Sequence, residues 1–365
     1  SLDEASQCFK KALIINPQNP HSYLYLGLIA EKCQEYTRAF EMYRSAIEID
    51  EDYSDALHSV GRLLKMDKQN IAALFYMKKA YAKLSDDLVI NNDLAFTCNS
   101  MGLSQEAIGY YLKCLELNPD EKKHLSSLIF LYHKDESKTL ADLHSAAQQY
   151  YETYINQQKN ILNFDHSSRY DSEKKTLRIG FVSADFHTHP VAYNLLSVLK
   201  RLNRSDFEIY LYYNQDKSDI LTAEFQSLAN KFTNIYKVSD CEAAELIACD
   251  RIDILFDLSG FTSGERLEIF KQKPAPVQIS HLGFFGTLGI PEIDFLLADG
   301  CVVQEGEDQF YTEQIYRFPS SYNHCDLYGI PEPALEPPCI TNGYVTFGSF
   351  NTLHKISPEV INIWI

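Results

Sequence analysis

A chain of 365 residues has material for two or three cores, since single cores stop growing at roughly 250 to 300 residues, and 45% hydrophobic residues with 24 Tyr and 21 Phe argue against disorder. A formal net charge of −17 with no long Lys/Arg cluster argues against nucleic acid as a partner. No apolar run approaches the roughly 20 residues that span a bilayer, so no membrane partner is expected, and nine cysteines without a CxxC pair read as reduced thiols of a cytoplasmic compartment, or a nucleocytoplasmic one in a eukaryote.

From the amino terminus the sequence repeats itself every 34 residues, in a register starting at Pro20, Ser54 and Leu88. Leu26 and Gly27, Val60 and Gly61, and Leu94 and Ala95 recur in the first half of each repeat. Ala39, Ala73 and Ala107 open the second half, followed by Tyr43, Met77 and Tyr111, and then by Ala46, Ala80 and Cys114. Pro119 and, three periods earlier, Pro17 close a hairpin, whereas Glu51 and Ser85 hold the equivalent positions between them. Small residues at fixed sites let paired helices approach, and large ones fill the groove of the next pair. The period is that of the tetratricopeptide repeat, so an α-solenoid is predicted over residues 1–121. Ala5, Phe9 and Ala12 match a second helix without its first, so the array begins inside a repeat and more repeats are expected before it. Fold analogy makes the expected partners protein substrates or adaptors along the concave face.

Between residues 122 and 175 the repeat fades, yet Leu140, Leu143, Ala147 and Tyr151 fall on one helical face. This stretch is expected to supply helices that cap the array and pack on the next domain. At Thr176 strands and helices begin to alternate: TLRIGFVSADF, VAYNLLSVLKRL, FEIYLYYN, CEAAELIACD, IDILFDLSG, ERLEIFKQ, APVQISHLG and IDFLLADG. Such alternation predicts an α/β lobe with a mostly parallel sheet and ligands at the carboxyl ends of the strands. Asp185, His187 and His189 follow the first strand, Ser259, Gly260 and Thr262 follow IDILFDL, and Gly283, Gly286, Thr287 and Gly289 follow APVQISH. The absence of GxGxxG after the first strand disfavours a dinucleotide oxidoreductase.

RIGFVSADFHTHPVAY, DILFDLSGFTSGERL, KPAPVQISHLGFFGTLGIPEIDFLLAD and VTFGSFNTLHKISPEVINIW closely resemble segments of family 41 glycosyltransferases. That family comprises the O-linked N-acetylglucosamine transferases and the SPINDLY-like O-fucosyltransferases, which also carry amino-terminal tetratricopeptide arrays. The resemblance implies a Rossmann-like amino-terminal lobe of a two-lobed GT-B enzyme at 176–325, a linker at 326–343, and the start of the carboxy-terminal lobe at 344–365. It further implies transfer of a sugar from UDP-N-acetylglucosamine or GDP-fucose to Ser or Thr hydroxyls of proteins, with no cofactor and no metal.

The same resemblance singles out residues. His189 matches the family's HP-containing loop, where a histidine faces acceptor and sugar as base or as positioning group; on its own it reads equally as a structural loop residue. Tyr193 stands where SPINDLY-like members carry Tyr, although it also suits the core of an amphipathic helix. Asp250 and Asp253 align with polar positions near the cleft, as catalytic and acceptor-side candidates, against the alternative of a helix-to-strand turn. Gly283, Gly286, Thr287 and Gly289 match a loop whose amides contact sugar or acceptor, with Phe284 and Phe285 replacing the family's Tyr and Pro. Lys355 matches the lysine that steadies the leaving diphosphate, and Thr352 the adjacent nucleotide-contacting position, where Gln or Asn is usual. The rival reading from another class is a tetratricopeptide scaffold without catalysis, and a third is a GT-B enzyme acting on a small glycan or lipid. Holding only half of a cleft, residues 1–365 alone are expected to bind protein without transferring sugar.

Overall fold

The structure, a computed structural model, describes residues 1–158, 161–167, 176–323, 332, 334–351, 355, 356 and 358–365. It divides into two compact units, Ser1–Asp135 with Gly348–Ile365, and Glu136–Phe347.

The first unit is a run of antiparallel helices: α1 (Leu2–Ile15), α2 (Pro20–Lys32), α3 (Tyr36–Ile49), α4 (Ser54–Met66), α5 (Asn70–Tyr81), α6 (Leu88–Ser100), α7 (Ser104–Leu117) and α8 (Lys122–Tyr132). Helices α2, α4 and α6 start where the repeat register starts. Local chemistry sets two of these starts: the Asn19 side chain accepts the Ser22 N–H ahead of Pro20, and Asp87 accepts the N–H groups of Val89 and Ile90. The repeated small and large positions form the seam within each hairpin. Ala39, Ala73, Ala107, Tyr43, Met77, Ala46, Ala80 and Cys114 are all fully buried. A Cβ on Gly27 would stand 2.4 Å from the Tyr43 ring, and one on Gly61 would stand 2.6 Å from Met77 Cγ, so each glycine makes room for the large residue of its partner helix. The Tyr43 hydroxyl donates to Glu31 at 2.8 Å, and Glu31 also pairs with Arg62 of the next hairpin, which ties successive repeats together.

The second unit opens with α9 (Leu140–Tyr150), started by a reciprocal Thr139 and Asp142 cap, and continues directly into a π-helical turn at Tyr151–Ile155. The sheet consists of β1 (Leu177–Ser183), β2 (Phe207–Tyr213), β3 (Lys231–Asn234), β4 (Ile254–Asp257), β5 (Val277–Ser280), β6 (Phe295–Asp299) and β7 (Gln314–Phe318). Its order is β3-β2-β1-β4-β5-β6-β7, and every neighbouring pair is parallel. The connecting helices are α10 (Pro190–Leu199), α11 (Ile220–Leu228), α12 (Asp240–Cys249) and α13 (Leu267–Lys271). Ile179, Phe181, Ile209 and Leu211 of β1 and β2 share one core with Leu195, Leu196 and Leu199 of α10 and Phe225 of α11. Short helices α14 (Pro338–Asn342) and α15 (Pro358–Trp364) follow the sheet in sequence.

The stretch 122–175 is thus shared between the two units, with α8 in the first and α9 in the second. Residues 140–158 and 161–167 are strapped onto the lobe. A Cβ on Gly289 would lie 2.6 Å from the Ala147 backbone, the Tyr150 hydroxyl donates to Glu265 at 3.0 Å, and the Leu162 N–H donates to Gln272 at 2.7 Å. Helix α11 and strands β3 and β7 are elements that alternation along the chain does not reveal. Both strands form sheet edges, and no residue of either is fully buried, so neither carries a marked apolar pattern.

Candidate active site

Strand β1 has β2 on one side and β4 on the other, and the chain winds away from it in both directions. In a sheet of this kind the crevice outside the carboxyl ends of the two central strands is where ligands bind. The loops after β1, β4 and β5 meet at that end.

The loop after β1 carries Asp185, His187 and His189. His189 caps α10 from an extended backbone, its Nδ1 accepting the Val191 N–H at 3.4 Å, and Pro190 begins the helix. Its Nδ1 also lies 3.5 Å from Asp185 Oδ2, with 41% of the histidine side chain exposed against 13% of the aspartate. Burial pushes the Asp185 carboxyl above its ordinary range, while His189 and His187 pull it the other way. His187 Nδ1 is 3.2 Å from the Tyr213 hydroxyl, which itself donates to the Lys217 carbonyl at 2.9 Å. Tyr193 sits half-buried one helical turn beyond His189, on the same side of α10.

Asp257 ends β4 wholly buried, its carboxylate accepting the N–H groups of Ser259 at 3.2 Å and Gly260 at 2.8 Å. Burial outweighs those bonds and pushes its pKa up to about 7. Gly260 has φ +54°, and a Cβ there would stand 2.3 Å from Phe284. Downstream, Arg266 sends Nη1 to Asn214 Oδ1 at 3.0 Å and to the Ile235 carbonyl at 2.9 Å, and Nη2 to the Val238 carbonyl at 2.8 Å. Its Nε pairs with Asp240, so the guanidinium fork joins the loop after β4 to those after β2 and β3.

The loop after β5 lies directly on the β4 loop, since a Cβ on Gly283 would stand 1.9 Å from the Leu258 carbonyl oxygen. Two of the four amides expected to face a ligand are engaged within the protein. The Gly283 N–H donates to the His281 carbonyl at 3.1 Å, and the Gly289 N–H to the Thr287 hydroxyl at 3.2 Å. That hydroxyl also donates to buried Glu313 at 2.7 Å and accepts the Thr312 N–H at 3.1 Å. Thr287 and Gly289 therefore build the scaffold, Gly289 at φ +69° against α9, and Gly286 is buried between exposed Phe285 and buried Thr287. Glu313, absent from the sequence reading, is held by burial above its ordinary range.

Asp250 and Asp253 lie at the opposite end of the sheet. Asp250 ends α12, receives Lys231 Nζ at 2.6 Å and accepts the Tyr212 hydroxyl at 2.9 Å. Asp253 accepts the Arg178 N–H at 2.8 Å, at the start of β1. The four residues of β4 separate both from the carboxyl-end crevice, about 13 Å at about 3.3 Å per residue. Both fasten the amino-terminal end of the sheet, where the turn alternative puts them. Lys355 is exposed and belongs to the first unit, where the burial of Lys134, with the Lys355 charge adding to it, holds Lys134 below the usual lysine range. Thr352 lies outside the described residues. Among the described residues no three His, Cys, Asp or Glu side chains are grouped so as to hold a metal ion.

His281, at the end of β5, is largely buried beside Phe256, Phe318 and Tyr322, and burial pushes its pKa down to about 4. The unfolded histidine takes up its proton near about 6.5, so its contribution to stability is present above that pH and is lost as pH falls from about 6.5 to 4. Asp257 has the opposite sign, since its folded form holds a proton up to about 7. In urea titrations, His281→Phe should match the wild type at pH 7.5 and exceed it increasingly toward pH 4.5. Parallel pH curves would disprove the assignment.

The family model Glycosyl transferase family 41 matches residues 117–330, and a tetratricopeptide repeat model matches 20–53 and 89–121. A rice protein (Oryza sativa subsp. japonica) named probable UDP-N-acetylglucosamine–peptide N-acetylglucosaminyltransferase SPINDLY is 30% identical over 263 residues, covering 70% of this chain and 28% of its own length. The Arabidopsis thaliana protein of the same description named SEC is 34% identical over 199 residues, covering 52% of this chain and 20% of its own. A solved Thermobaculum terrenum O-GlcNAc transferase variant superposes with a TM-score of 0.77 at 28% identity, covering 94% of this chain and 65% of its own. The chain thus spans under a third of the length of these two plant relatives and about two thirds of the bacterial structure.

Proposed function

The chain belongs to glycosyl transferase family 41, and from that premise we propose that it supplies the repeat array and first lobe of an enzyme that moves a sugar from a nucleotide donor to Ser or Thr hydroxyls of proteins. The observation that carries this reading is the pairing of half-exposed His189 with buried Asp185 at the carboxyl end of β1, beside the switch of strand order. His189 Nδ1 is engaged within its own loop, by the Val191 N–H at 3.4 Å and Asp185 Oδ2 at 3.5 Å, which leaves Nε2 to meet a substrate. Through Nε2, His189 hydrogen-bonds and positions a substrate oxygen. The acceptor oxygen then bonds to the anomeric carbon as the bond to the diphosphate breaks, the hydroxyl proton passes to an oxygen of the departing diphosphate, and Lys355 counters the charge that grows there.

In this reading the repeats select the protein acceptor, no divalent metal takes part, and the compartment is cytoplasmic. The names of the relatives favour UDP-N-acetylglucosamine as donor, and Tyr193 favours GDP-fucose. Incubating the full-length protein with each donor, a peptide pool and excess EDTA should give transfer from one of them at the rate seen without chelator. Residues 1–365 alone should bind peptide and give none. Absence of transfer from both donors would overturn the enzymatic reading in favour of a scaffold, and loss of rate with EDTA would overturn metal independence.

A further inference from the structure

The loop that carries His189 is held from a neighbouring crossover. Three consecutive residues before the histidine are tied to the stretch that runs from the last residue of β2 to the first turn of α11. The Phe186 carbonyl accepts the Thr222 hydroxyl at 2.8 Å, His187 Nδ1 meets the Tyr213 hydroxyl at 3.2 Å, and Thr188 is bound twice by one carboxylate oxygen. That oxygen is Asp219 Oδ2, which accepts the Thr188 N–H at 2.7 Å and the Thr188 hydroxyl at 2.6 Å. The other oxygen, Oδ1, caps α11 by accepting the N–H groups of Leu221 and Thr222, each at 3.0 Å. One side chain therefore divides its two oxygens between two jobs, starting α11 with one and fastening the His189 loop with the other. These donors hold the Asp219 carboxyl well below the usual carboxylate range, so both oxygens accept throughout the neutral range.

We propose that Asp219 is a positioning residue for His189: its ionised carboxylate bridges the β1 and β2 crossover loops and sets where the imidazole stands at the mouth of the crevice. This rests on the reading above that His189 faces the substrate. No step of the reaction passes through Asp219, and its effect reaches the substrate only through Thr188 and the backbone leading to His189.

The division of labour makes the two roles separable. Asparagine caps helices about as well as aspartate, so Asp219→Asn retains the acceptor for α11. Its amide NH2, placed where Oδ2 stood, meets the Thr188 N–H donor with another donor, so the clamp loses its backbone arm and keeps at most the hydroxyl, which then accepts. A second pair leaves the cap untouched: Thr188→Val removes the hydroxyl arm, and Thr188→Ser restores it.

Two measurements are made. In the 365-residue chain with labelled histidine, NMR titration of His189 should show a displaced midpoint or doubled resonances in Asp219→Asn and Thr188→Val and the wild-type curve in Thr188→Ser, while His21 in the repeats is unchanged. In the full-length protein, Asp219→Asn should lower kcat at least tenfold with the donor KM within twofold, and Thr188→Ser should stay near wild type. A wild-type His189 titration together with wild-type kcat in Asp219→Asn overturns the proposal. So does an equal loss in Thr188→Ser and Thr188→Val, which would mark the site as merely structural. If the unmodified full-length protein transfers no sugar, the functional reading falls and the His189 titration alone decides the clamp.

Discussion

Replacing Gly27 by Val should destabilise the repeat array by about 3 kcal/mol, near the upper end of what overpacking a core ordinarily costs. The added Cβ would lie 2.4 and 2.6 Å from two carbons of the Tyr43 ring. That ring has nowhere to move, because it is fully buried and its hydroxyl is bonded to Glu31, which is paired in turn with Arg62 of the following hairpin. Gly61→Val should behave alike against Met77, whose Cγ stands 2.6 Å from the added carbon. Gly109 provides the control. It lies exposed in α7, where a Cβ would touch nothing within 4 Å. Gly109→Ala should therefore gain roughly 0.5 to 1 kcal/mol from helix propensity alone. Denaturant melts of the three variants test the packing account, and equal effects at Gly27 and Gly109 would refute it.

Lys355→Ala should lower turnover of the full-length protein by roughly 10²- to 10³-fold, the loss typical of removing one group that stabilises charge in a transition state. Lys355 is exposed, so the melting temperature of the 365-residue chain should not change, and peptide binding to the repeats should survive. A point charge acts mainly on the developing negative charge, so the loss should fall on kcat more than on peptide affinity. Unchanged turnover would remove Lys355 from the proposed mechanism.

How much of this could be read along the chain differs from element to element. The helix starts at Pro20, Ser54 and Leu88, and the small-and-large code at Gly27, Tyr43, Gly61 and Met77, were legible because a solenoid packs each hairpin mainly on its sequence neighbours. Strands β1, β2, β4, β5 and β6 were legible as apolar runs, but β3 and β7, at the edges and only partly buried, were not. Helix α11 is nine residues long and too short for a clear period, although Asp219 ahead of it was a readable cap signal.

Residue types and spacing alone therefore determined the solenoid, the parallel α/β lobe and the polar clusters at the strand ends. Only the tertiary structure decided which of those polar groups meet. It paired His189 with Asp185, put Asp250 and Asp253 at the amino-terminal end of the strands, turned Thr287 and Gly289 into scaffold, and brought Asp219 to Thr188 across 31 positions of chain. The physical reason is that periodicity records only whether a side chain faces a core. The partner of a carboxylate or an imidazole is set by crossovers that join residues distant in sequence, and those leave no mark on local pattern.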